Sequence, residues 1–77
     1  MITPSQCRAA RGLLKWSQQQ LADAAGVGIV TIRQFENDQA EPRSATMQVI
    51  ERAFSDSSVQ FIDDERSEGV VKLKGRP

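Results

Sequence analysis

The chemistry-bearing residues of this chain concentrate in Val30-Thr31-Ile32-Arg33-Gln34-Phe35-Glu36-Asn37. If Ile32 and Phe35 turn inward on a helix, then Val30, Arg33, Gln34 and Asn37 form the opposite stripe, spaced i, i+3, i+4 and i+7. That stripe suits recognition, not bond-making. A guanidinium fork and primary amides form paired hydrogen bonds with planar groups, while a valine supplies an apolar contact. Catalytic groups are scarce elsewhere. The sequence has no histidine, no paired carboxylates on a scaffold and no phosphate-cradling glycine loop, so an enzyme is not expected.

Composition narrows the class further. Seventy-seven residues make one small domain, which buries only about 60% of its unfolded surface and gains from oligomerisation. A single cysteine, Cys7, excludes an internal disulfide, fits a reducing cytoplasm and reads as packing. With no histidine beside it, no structural zinc site and no cofactor are expected. Neither a signal peptide nor a run long enough for a membrane span is visible, and no small-molecule ligand is evident. Ten basic and ten acidic residues cancel, so any affinity for phosphate must come from local placement.

The elements that must position the stripe have local start and stop signals. Thr3-Pro4-Ser5-Gln6 predicts a helix with a capping box, inward residues Cys7, Ala10 and Leu14, and an end near Lys15. Ser17 with Gln20 repeats the box and predicts a second helix with Leu21, Ala22 and Ala25 inward, closed by Gly26. The third helix is expected over about 28–37. A polar loop through Pro42 leads to a fourth, which Ser44 can cap and whose Met47, Ile50, Ala53 and Phe54 share a face. Ser55–Ser58 reads as a break. Val59–Ile62 and Val70–Lys74 have strand composition, and a turn over 63–69 would make them a β-hairpin. Gly75-Arg76-Pro77 is expected to fray.

Residues 17–36 hold two short helices around a tight turn, with Leu21, Ala25, Val27, Ile32 and Phe35 filling the wedge between them. A helix-turn-helix that lays its second helix in the DNA major groove has this pattern. From about Cys7 to Phe54 the chain resembles the Cro/C1-type (Xre-like) helix-turn-helix family. The matching residues are Arg11, Ser17-Gln18, Leu21-Ala22, Gly26-Val27, Ile32, Phe35-Glu36 and Pro42, with apolar positions in the fourth helix. The resemblance implies an architectural ion pair between Arg11 and Glu36, and a phosphate contact at Gln18. It also implies base-reading positions at Gly28, Ile29, Val30, Thr31, Arg33 and Gln34. Arg33 suits guanine, Gln34 adenine, and Ile29 and Val30 could meet either thymine methyls or a protein partner. Asn37 completes the stripe, and Arg43 is a loop cation within reach of phosphate. Two departures stand out: Gly28 where the family usually has a serine or threonine cap, and Asp38 where a glycine often follows.

The expected fold is therefore mainly α: a four-helix Cro/C1-type helix-turn-helix domain over 1–55, then a C-terminal β-hairpin and tail over 56–77. A lone hairpin is marginal in water, so it must pack on the helices through Phe61 and Leu73 or pair with another chain. Val59, Phe61, Val71 and Leu73 are the expected dimerisation residues. Lys72 and Lys74 read as a solvated face or as phosphate contacts. The expected partner is double-stranded DNA, bound by a homodimeric transcriptional regulator acting as a repressor. The alternative is a protein-interaction module, an antitoxin-like or accessory subunit, using the helix surface or the hairpin edge.

Overall fold

The computed structural model describes residues 1–74, and the fraying expected of Gly75-Arg76-Pro77 lies outside them. Four helices precede one hairpin: α1 (Pro4–Leu14), α2 (Gln18–Ala25), α3 (Ile29–Glu36), α4 (Ser44–Asp56), β1 (Val59–Asp63) and β2 (Glu68–Lys72). The first two helices start where the capping boxes predict. The Thr3 hydroxyl accepts from the Gln6 N–H at 3.1 Å, and the Gln6 carbonyl oxygen accepts from the Thr3 N–H at 3.0 Å. Ser17 and Gln20 make the same exchange at 3.0 and 2.7 Å.

Two expectations about the ends of α4 are corrected. Ser44 does not cap α4; it is the first helical residue, and Arg43 holds the cap position without a side-chain bond. The face that buries Met47, Ile50, Ala53 and Phe54 sets the register of this helix, and its first turn closes on the Arg43 carbonyl (2.9 Å from the Met47 N–H). At the other end, α4 continues through Ser55 and Asp56, so the break shrinks to Ser57-Ser58.

The first three helices end alike. Lys15, Gly26 and Asp38 adopt left-handed backbone with φ of 58°, 73° and 58°. Each is followed by a residue whose N–H reaches back five positions: Trp16 to Arg11 (2.9 Å), Val27 to Ala22 (3.0 Å) and Gln39 to Gln34 (2.8 Å). These closures satisfy carbonyls that would otherwise be orphaned, and they turn the chain sharply between short helices. Aspartate tolerates the left-handed region better than most residues, which explains why Asp38 can stand where a glycine is common.

One apolar cluster unites the elements. Cys7 and Ala10 from α1, Leu21 and Ala22 from α2, Ile32 and Phe35 from α3, and Met47, Ile50, Ala53 and Phe54 from α4 are buried together with Ile2 and Val59. Trp16 covers the cluster, stacked on Phe54 with ring centroids 5.9 Å apart.

The hairpin is antiparallel, with Val59 opposite Lys72, Phe61 opposite Val70 and Asp63 opposite Glu68. The second strand therefore begins two residues earlier than its composition predicts, and the loop shortens to 64–67. Asp64 makes that turn. Its carboxylate accepts from the N–H groups of Arg66 (2.8 Å) and Ser67 (2.9 Å) and from the Ser67 hydroxyl (3.1 Å), which holds it below the ordinary carboxylate range. Docking on the helices also differs from expectation. Phe61 packs edge-on to Phe54 at 5.6 Å and Val70 reaches the core, but Leu73 is 54% exposed. Leu73 lies beyond the paired strand and on the opposite face from Val70, because side chains alternate. A polar peg completes the docking: the Gln6 amide donates to the carbonyls of Ile62 (3.0 Å) and Gly69 (2.9 Å).

Candidate nucleic-acid interface

The outward face of α3 is built by burial of its other side. Ile32 and Phe35 enter the core, and Glu36 is 2% exposed. One turn away, Val30, Arg33 and Gln34 are exposed, as are Asn37 at the helix end and Gly28 at its start. Val30 is 56% exposed, a large apolar group left in water beside an arginine. Thr31 is half-buried at the margin of this face. Arg43 is exposed at the start of α4.

Ile29 has to be separated from Val30. It is half-buried and packs against the core cluster, so the apolar surface that faces solvent at the head of α3 belongs to Val30. The reason is angular: Ile29 precedes Ile32 by three residues and falls on the same side of the helix.

Behind the exposed stripe, Glu36 ties α3 to α1 and α2. Its carboxylate accepts from Arg11 through Nε at 2.7 Å and Nη2 at 2.8 Å, a two-pronged charged pair. Gln18 Nε2 donates to it at 3.0 Å and the Cys7 thiol at 3.1 Å. Arg11 also donates to the Trp16 carbonyl at 3.0 Å, so one guanidinium fastens the α1–α2 junction to the end of α3. Burial alone would push the Glu36 carboxyl up, but the bonds from Arg11, Gln18 and Cys7 outweigh it and hold the group below its ordinary range. The same bond to Glu36 raises Arg11, so the pair is ionised. For Cys7 the balance is reversed: burial first, then the bond to Glu36, pushes the thiol far up and leaves it an unreactive donor.

Sequence reasoning missed three contributions here. Gln18, expected to reach outward, is half-buried and spends one N–H on Glu36. Cys7 is a hydrogen-bond donor as well as packing. Arg8 donates to the Glu36 carbonyl and to the Ser5 hydroxyl at 3.2 Å, closing the C-terminus of α3 from outside. Only Arg8 had a usable signal, being three residues before Arg11 and hence on the same face of α1.

The four expected dimerisation residues divide. Val59 is only 4% exposed and Phe61 packs against Phe54, so both belong to the protomer's own core, whereas Val71 and Leu73 remain outside. Alternation along the strands, together with the helices beneath one face, makes this division.

Residues 8–61 match the model of a family described as helix-turn-helix. With most of its length matched, the chain belongs to the Cro/C1-type helix-turn-helix family. It is therefore a DNA-binding regulator, in a family that is not one of enzymes. No curated protein matches the chain. No helix among the described residues is long and apolar enough to cross a membrane.

Proposed function

We propose that the chain is a sequence-specific, dimeric transcriptional repressor of the cytoplasm that reads the DNA major groove with α3. Residues 1–55 form the reading domain, and the hairpin within 56–77 joins two copies. Arg33 takes guanine through O6 and N7, Gln34 takes adenine through N7 and N6, and Val30 meets a thymine methyl. Gly28 lets the helix start approach the bases, with Thr31 and Asn37 at the margins of the contact. Gln18, at the N-terminus of α2, and Arg43 contact phosphate; Gln18 has one amide hydrogen free to do so while the other stays on Glu36.

The observation that carries this reading is the exposed stripe of Val30, Arg33, Gln34 and Asn37 opposite buried Ile32 and Phe35. Selection of bound fragments from fragmented genomic DNA tests it. Enriched fragments should share two related half-sites about one helical turn apart, roughly 34 Å. Recovery of random fragments would reject it. Formal neutrality and the exposed Val30 favour a second reading, a protein-interaction module. Under that reading no sequence is enriched, and binding to random DNA is absent or insensitive to salt.

A further inference from the structure

The outer edge of β2 is an open strand whose sequence matches itself. Leu73 donates to the Ser58 carbonyl at 2.8 Å, and opposite pairs in an antiparallel ladder alternate between bonded and non-bonded. Hence Val71 and Gly69 turn their main-chain groups toward β1, and Glu68, Val70 and Lys72 turn theirs away. Those outward groups have no hydrogen-bond partner among the described residues.

We infer that β2 pairs antiparallel with β2 of a second copy, on a two-fold axis centred on Val70. This rests on the dimeric reading above and specifies its surface. Three observations fix the register. First, Glu68-Gly69-Val70-Val71-Lys72, reversed about Val70, sets Glu68 against the partner's Lys72 and Lys72 against the partner's Glu68. Both matched pairs use the residues whose N–H and C=O groups are free. Second, neither charge meets an opposite charge at home, although the Glu68 carboxylate accepts from the Thr3 hydroxyl at 2.9 Å. Glu68 faces Asp63, a like-charged pair that destabilises an isolated hairpin, and the two salt bridges among the described residues involve neither Glu68 nor Lys72. Third, Gly69 needs no conformational freedom within the protomer: its φ is not positive, and an added Cβ would make only an ordinary 4.0 Å contact with Ile62. Between copies it falls opposite the partner's Val71, where a missing side chain leaves room for that valine.

The edge of β1 fits less well. Pairing centred on Phe61 sets Val59 against Asp63, with no charge match. In the proposed four-stranded sheet, Ile62 and Val71 of each copy, both 38% exposed in the protomer, line up with Gly69 on the face away from the helices.

Charge exchange on the full chain tests the pairing. Sedimentation equilibrium would compare wild type, Glu68→Lys, Lys72→Glu and the double variant, alongside binding to a selected DNA half-site. Each single variant places like charges together twice per dimer and should weaken dimerisation about tenfold. The double variant should recover to within about threefold of wild type. Glu68→Lys relieves the like-charged pair with Asp63 but gives up the bond from Thr3, so circular dichroism and the denaturation midpoint of each variant separate a lost dimer from a lost fold. A monomeric wild type, unchanged single variants, or a double variant no better than either single overturns the proposed pairing. Half-site binding separates the two readings: if it persists while the pairing fails, only this surface is wrong, and if it is absent from a correctly responding dimer, only the DNA reading is wrong.

Discussion

Glu36 is the residue on which the placement of α3 depends, because three elements meet at its carboxylate. The buried pair with Arg11 adds little by itself, since both charges lose water, but removing one partner strands the other. Glu36→Gln keeps the size and leaves Arg11 without its counter-charge. It should cost about 3 kcal/mol in chemical denaturation. The acid response follows from the depressed carboxyl of Glu36. A group ionising more readily in the folded state stabilises above the ordinary value of 4.5, and that stability is lost as pH falls through the lower folded value. The gap in unfolding free energy between wild type and Glu36→Gln should therefore be full at neutral pH and close on acidification below 4.5. A constant gap would contradict this role. Lys15 is a simpler case. It is exposed in left-handed backbone, which costs a non-glycine residue roughly 1–2 kcal/mol. After glycine's larger entropy loss, Lys15→Gly should gain about 0.5–1 kcal/mol, read as a higher denaturation midpoint.

Among the elements, the hairpin is held by a residue that also starts a helix. Gln6 uses its carbonyl oxygen for the α1 cap and its amide hydrogens for the hairpin carbonyls. Gln6→Glu separates these uses, because a carboxylate can still cap but cannot donate. It should cost about 1–3 kcal/mol and speed hydrogen exchange in β1 and β2 while α1 stays protected. Uniformly faster exchange would mean that the hairpin and helices open as one unit. The same contrast between local and distant causes explains what could be read in advance. The boxes at Thr3 and Ser17 and the stop at Gly26 are legible because every atom involved lies within a few residues. The inward faces of α2, α3 and α4 are legible from spacing. Ser44 misleads because the packing of α4, not its first residue, sets where the helix begins. The second strand shifts because Asp64 tightens the turn, a preference that strand composition does not reveal. Gln18 on Glu36, Gln6 on the hairpin and the division of Val59 and Phe61 from Val71 and Leu73 all arise between distant segments, so no local signal could announce them.

At the scale of the whole molecule, a neutral chain binds a polyanion only if its few cations are well placed. Arg33 and Arg43 are exposed near the reading face, with Asp38 and Glu41 exposed in the loop between them. The non-specific share of binding should therefore be small, and discrimination should rest on α3. A shallow fall of log K with log salt is expected, at about −0.9 per phosphate neutralised for a few phosphates. The proposed pairing of two copies through β2 would fit this economy, because a second copy of α3 adds specificity without adding net charge. The central claim, that α3 reads bases in the major groove, is tested most directly by the affinity of Arg33→Ala for the selected operator and for single-base variants of it. The account predicts a loss of about 1–3 kcal/mol on the operator, with preference relaxed at one base pair per half-site and the others unchanged. An equal loss on every sequence, or no loss, would contradict it.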